Sequence, residues 1–162
     1  MEHIVVMGVA GAGKSTVARA LADRTGWPFA EGDELHPPAN VTKMRAGEPL
    51  TDDDRQPWLE RVRAWMDERG AAGESTVVAC SALRRRYRDV LRGARGSVRF
   101  VLLTADTAEL RKRIGAREGH FMPASLLASQ LATLEPLARD ERGMTLDASL
   151  PVDALVDDIL RG

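Results

Sequence analysis

The sequence predicts a three-layer α/β protein in which helices cover both faces of a five-stranded parallel sheet. Two observations carry that expectation. Short, unbroken apolar runs alternate with helix-like segments along the 162 residues, as expected of strands buried on both faces. The first of these runs, Ile4-Val5-Val6-Met7, leads into Gly8-Val9-Ala10-Gly11-Ala12-Gly13-Lys14-Ser15 and then into the helix-like Thr16-Val17-Ala18-Arg19-Ala20-Leu21. Strand, glycine-rich loop and helix are the setting in which G-x-x-x-x-G-K-[ST] forms a phosphate-binding P-loop. Glycines let the chain turn so that successive N–H groups face one anion. The helix start adds unpaired N–H donors and the positive end of its dipole. Lys14 is suited to the outer phosphates and the Ser15 hydroxyl to Mg²⁺. The expected class is therefore the P-loop NTPase fold.

Each element follows from local pattern. Residues 4–7 form the first strand and 14–25 the first helix. Residues 27–30 form a short second strand, ending in Glu31-Gly32-Asp33. Residues 37–73 read as a polar, helical insert. Within it Thr51, followed by Asp52, Asp53 and Asp54, marks a helix N-terminus whose acids the dipole favours. Trp58, Val62, Trp65 and Met66 then recur at helical spacing. Strands are expected at 76–80, 98–103 and 144–146, with helices at 84–92, 107–117, 124–137 and 151–160. Pro151 suits a first helical turn. The stretch 115–123, with Gly115, Gly119 and Pro123, breaks the helical pattern. No repeat or linker interrupts the chain, which reads as one domain, residues 1–162.

Composition excludes several classes. A net charge of −1 gives no global attraction to nucleic acid or to an anionic membrane. Cys80 is the only cysteine, so neither an internal disulfide nor a cysteine-rich zinc site is available. The chain enters its first strand without a basic, apolar leader, and no apolar run approaches membrane-spanning length. A cytoplasmic protein is expected.

A parallel sheet binds ligands at the carboxyl ends of its strands, which draws attention to the P-loop, Asp33 and Ser81. Asp33 beside a P-loop is placed to take the proton of a substrate hydroxyl. Ser81 reads either as a pocket residue or as the cap of helix 84–92, and His36 either as structural or as part of the site. Glu31 is a candidate for the outer shell of the metal. Seven arginines fall between positions 84 and 99, either as a solvated face or with one or two gripping a substrate anion. Arg111, Arg113 and Arg117 flank the break at 115–124, which suits a lid over the phosphates.

The insert carries more specific motifs. Gly32-Asp33-Glu34-Leu35-His36-Pro37, Lys43-Met44-Arg45-Ala46-Gly47-Glu48-Pro49-Leu50 and Asp52-Asp53-Asp54-Arg55-Gln56-Pro57-Trp58-Leu59 resemble the gluconokinase family. So do Cys80-Ser81-Ala82-Leu83-Arg84 with Tyr87-Arg88-Asp89, and Gly119-His120-Phe121-Met122-Pro123 through Ser129-Gln130-Leu131 to Thr133-Leu134-Glu135. That family is similar to shikimate kinase and the nucleoside monophosphate kinases. The resemblance implies transfer of the γ-phosphoryl group of ATP to the 6-hydroxyl of D-gluconate, with Mg²⁺, in a homodimer. It implies nucleotide binding by Gly8, Gly11, Ala12, Gly13, Lys14, Ser15 and Thr16, with Ser15 on the metal and Arg113 near adenine. Lys14, Asp33 and Arg117 are the expected catalytic residues. Asp33, His36, Lys43, Arg55, Ser81, Arg84, Arg88 and His120 are the expected substrate contacts, because gluconate differs from glucose by a carboxylate that wants a cation. Two departures stand out: Glu31 where Asp is usual, and Arg84 where Lys is common.

Rival functions make sequence demands of their own. A GTPase would need N-K-x-D to read guanine, yet the only asparagine, Asn40, precedes Val41. A kinase for another small hydroxy acid, such as shikimate, is the competing enzyme. A nucleotide-regulated RNA-binding protein would use the arginine cluster but has only Tyr87 to interleave there.

Overall fold

The structure is a computed structural model describing residues 1–115 and 126–162. Five strands, β1 (Glu2–Met7), β2 (Phe29–Glu31), β3 (Thr76–Ala79), β4 (Ser97–Thr104) and β5 (Gly143–Asp147), form one sheet. Their order is β2-β3-β1-β4-β5, and every neighbouring pair is parallel. β1 is central, with Val5 level with Val78 on one side and Phe100 on the other.

The continuous apolar strands make sense in this arrangement because both faces are covered. Ile4, Val6, Val101 and Leu103 face a cluster with Val17 and Leu21 of α1 (Lys14–Thr25) and Leu155 and Ile159 of α7 (Val152–Arg161). Val5, Met7, Val78 and Phe100 face Trp58, Val62 and Met66 of α3 (Asp52–Ala71) and Leu91 of α4 (Arg85–Arg92). Fully burying each such large side chain contributes about 1.5–3 kcal/mol.

The insert forms as α2 (Pro38–Arg45) and α3. Thr51 caps α3 through a reciprocal box: its hydroxyl accepts from Asp54 N, while the Asp54 carboxylate accepts from Thr51 N. This closes two orphan N–H groups at once. A 3-10 turn, Gly32–Leu35, follows β2.

Several expected boundaries move. β2 begins at Phe29, and Pro151 takes the cap position of α7. α5 is described over Thr107–Gly115, and the rest of the expected helix lies outside the described residues. α6 (Leu126–Thr133) ends before the expected limit at 137. Leu134 N still bonds Gln130 O, but Glu135 N turns away to Leu83 O at 2.7 Å. Pro136, which has no N–H and disfavours helix in the residue before it, stops continuation. Ser81 caps no helix; Arg84 occupies the cap position of α4.

Part of the arginine cluster lies at the surface, with Arg85, Arg86 and Arg95 exposed, whereas Arg88 and Arg99 are buried. Arg84 and Arg86 pair with Asp52, Arg85 with Asp140, Arg92 with Asp89 and Glu141, and Arg99 with Glu2. Among the described residues, no helix is long and apolar enough to cross a membrane.

Candidate active site

The ends of β1, β2 and β3 bring together the P-loop, the 3-10 turn and the loop after β3. With the insert they enclose a cavity of about 470 Å³. Gly8 and Gly13 hold φ of +146° and +94°, conformations that a side chain resists. A Cβ on Gly8 would also lie 2.9 Å from Leu103 O, so the loop passes over β4 only because nothing projects there. Gly13 caps α1 without a side-chain partner, which leaves the helix start to an anion. Gly11, Gly13, Lys14 and Ser15 line the cavity, and Lys14 Nζ donates to Val9 O at 3.1 Å. Gly8 and Ala12 are buried beneath the loop, and Thr16 is exposed outside the lining.

Ser15 Oγ donates to the Glu31 carboxylate at the end of β2. Burial raises the Glu31 pKa above the ordinary value, even though the Ser15 hydrogen bond opposes it. A hydroxyl touching a half-buried carboxylate beside an anion cradle is a hard-oxygen donor set that fits Mg²⁺.

Asp33 lines the same cavity. Its turn packs tightly, since a Cβ on Gly32 would meet Ala79 O at 2.5 Å. Trp58 Nε1 donates to Gly32 O at 2.8 Å and fixes the turn from α3. His36 stacks on the Trp58 ring at 4.0 Å. Burial is the main reason its pKa falls to about 4. Asn40 Nδ2 lies 3.1 Å from His36 Nδ1. An amide nitrogen can only donate, so the imidazole keeps its proton on Nε2.

Of the arginines expected to hold a substrate carboxylate, Arg55 alone lines the cavity. It lies 5.3 Å over the Tyr87 ring and donates to Leu50 O and Tyr87 Oη. Arg88 is corrected: it is fully buried, with Nε 2.7 Å from Glu141 Oε1, and holds structure instead of facing the cavity. Arg84, 3.8 Å from Asp52, and Lys43, 2.8 Å from Asp54, also stand outside the lining. Lys43 ties α2 to the capped start of α3. Ser81 does line the cavity, and its carbonyl accepts from Gly8 N.

Arg113 braces the P-loop from outside the cavity. Its Nη1 is 3.3 Å from Gly11 O, and its Nη2 donates to Ala148 O at 3.0 Å. Arg117, His120 and the expected lid at 115–124 fall, apart from Gly115, outside the described residues.

Sequence reading missed Gln130, whose Oε1 accepts from Ala10 N of the P-loop at 2.7 Å. Trp58 and Tyr87 also line the cavity unforeseen. Helical periodicity marked Trp58 as core, which is also true. All three lie within the insert, β3–α4 and α6 motifs, the signal that could have raised them.

Comparison with known proteins agrees with this geometry. A family model described as an AAA domain matches residues 4–137. The gluconokinase of Gluconobacter oxydans (strain 621H) is 52% identical over 160 residues, covering 99% of this chain and 90% of that protein. A crystal structure of a sugar kinase from Janibacter sp. HTCC2649, unliganded, superposes with a TM-score of 0.95 at 52% identity, covering 99% of this chain and 93% of the other. The structure of a gluconokinase from Sinorhizobium meliloti 1021 superposes with a TM-score of 0.85 at 50% identity, covering 99% and 90%. The P-loop, the capped helical insert and these relatives lead to one assignment: the chain belongs to the AAA-domain P-loop proteins and, among them, to the gluconokinase family.

Proposed function

We propose that this chain transfers the γ-phosphoryl group of ATP to the 6-hydroxyl of D-gluconate, giving 6-phospho-D-gluconate and ADP. The observation that carries the reading is the shared cavity, in which Lys14 and Ser15 of the anion cradle, Asp33 and Arg55 line one space. Its volume of about 470 Å³ is of the size usual for small-molecule sites.

The P-loop N–H groups and Lys14 hold the ATP phosphates and neutralise charge as it spreads over the transferring group. Ser15, supported by Glu31, would hold Mg²⁺, which when bound would add to the neutralisation of phosphate charge. Asp33 orients the 6-hydroxyl and accepts its proton while the bond from oxygen to the γ-phosphorus forms. The bond from that phosphorus to the bridging oxygen breaks, and the electron pair leaves with ADP. Arg55 receives the gluconate carboxylate, and neutral His36 and Ser81 meet its hydroxyls. Arg117 and His120 complete the phosphate and substrate contacts, and Arg113 supports the nucleotide end near 147–151, as the family resemblance implies. The reading also takes residues 1–162 as one kinase domain, on chain length, with a cytoplasmic location, and as a homodimer, which the resemblance implies.

A coupled assay for ADP release over gluconate, shikimate, glucose and related sugar acids tests the reading. Gluconate is expected to give the highest kcat/KM. Faster turnover with shikimate would transfer the assignment to a different hydroxy-acid kinase.

A further inference from the structure

Ala82 is the only non-glycine among the described residues with positive φ, at +44°. It is fully buried and lies between Ser81 and Leu83, which both line the active-site cavity. A non-glycine residue in this region costs backbone free energy and persists only where its surroundings enforce it. Here three successive carbonyls are each fixed by a different part of the fold. Ser81 O accepts from Gly8 N of the P-loop at 3.3 Å. Ala82 O accepts from Arg88 Nη1 at 3.0 Å. Leu83 O accepts from Glu135 N at 2.7 Å, and the Glu135 carboxylate returns to Arg85 N at 2.8 Å.

The middle clamp is the unusual one. Arg88 and Glu141 are both wholly buried, and the guanidinium meets the carboxylate through Nε at 2.7 Å and Nη2 at 2.9 Å. Two of the guanidinium nitrogens are therefore occupied by Glu141, and the remaining one, Nη1, goes to Ala82 O. Glu141 is in turn held by Ala138 N and Arg92. A buried ion pair is weak evidence for stability as such, and registry is its better-attested use. The forked guanidinium gives that registry here, since its donors are rigidly coplanar.

We propose that the Arg88–Glu141 pair is a positioning device that holds the strained turn at Ala82, and thereby sets Ser81 and Leu83 against the P-loop for phosphoryl transfer. The inference rests on the kinase reading above and assigns Arg88 no contact with substrate. Glycine adopts positive φ without the enforcing contact, which provides a rescue that a general stabilising role would not show.

The test uses the full chain, assayed at a temperature where each variant is folded by circular dichroism. Arg88→Lys keeps the charge and loses the fork. It is expected to lower kcat/KM for gluconate by about tenfold, the scale of a small misplacement at a reacting centre. Arg88→Lys with Ala82→Gly is expected to recover activity to within about threefold of wild type, because the two sites are coupled. Should Arg88→Lys not fold, Glu141→Gln takes its place, with the same loss and the same rescue by Ala82→Gly. Folded single variants with unchanged kcat/KM, or a double variant no better than the single one, overturn the proposal. A wild-type protein without gluconate-dependent ADP release would instead defeat the kinase reading, so the two failures are distinct.

Discussion

The hydroxyl of Ser15 donates to the carboxylate of Glu31, joining the first turn of α1 to the end of β2. If this pair presents oxygen to Mg²⁺, either partner's loss should weaken the response to metal more than the binding of nucleotide alone. Ser15→Ala and Glu31→Gln are each expected to raise the Mg²⁺ concentration for half-maximal turnover by about tenfold, in the range reported for disturbed metal-site supports. Burial raises the Glu31 pKa. The carboxylate therefore protonates, and the metal response weakens, at a higher pH than for an ordinary Glu. Mg²⁺ titrations at two pH values check both points; superimposable curves for wild type and variants would remove Glu31 from the site.

Lys14 and Asp33 line one cavity but serve different steps. Lys14→Ala should lower turnover by at least about a hundredfold, the scale of losing one preorganised charge contact. Asp33→Asn keeps shape and loses the base, so kcat should fall far more than ATP affinity. Were only the KM for gluconate to change, Asp33 would be a binding residue.

Selectivity for a carboxylate should reside in Arg55. Arg55 lines the cavity, whereas Arg84 and Lys43 pair with Asp52 and Asp54 outside the lining. Arg55→Ala is expected to weaken gluconate binding by about 2–5 kcal/mol, as for loss of a desolvated charge partner. Arg84→Ala should change the gluconate KM by less than about threefold, as an exposed pair contributes little. Saturation curves for the two variants decide; the reverse ranking would relocate the carboxylate.

His36 makes stability depend on pH. Its folded pKa of about 4 lies below the ordinary 6.5, so between those values the unfolded chain binds the proton and the folded chain resists it. Stability should fall as pH drops through that window, by at most about 3 kcal/mol. Asp54 and Glu141, both held down to about 2, lose their contributions only as pH falls below the usual carboxylate range. His3, also lowered by burial, shifts in the same direction as His36. The readout is therefore the difference between wild type and His36→Gln in urea unfolding at pH 7.5 and pH 5. Equal losses in both proteins would show that His36 does not titrate as its burial implies.

What the sequence determined by itself is local. The unbroken apolar runs specified strands covered on both faces, because no half-exposed strand would tolerate Ile4 to Met7 in succession. The glycines at 8, 11 and 13 specified an anion cradle, since only that backbone turns its N–H groups inward. Thr51 and Asp54 specified the start of α3 through bonds three residues apart. Contacts across the sheet were decided only by the tertiary structure. The family motif pointed Arg88 at the substrate, and only the packing of the layers buries it against Glu141, 53 residues away. Gln130 reaches Ala10 across 120 residues, and Ala82 takes a conformation no local rule favours. A side chain's neighbours along the chain report its helix or strand. Which distant charge or carbonyl meets it depends on how the layers pack, and the cost of leaving a buried charge unpaired makes that packing decisive.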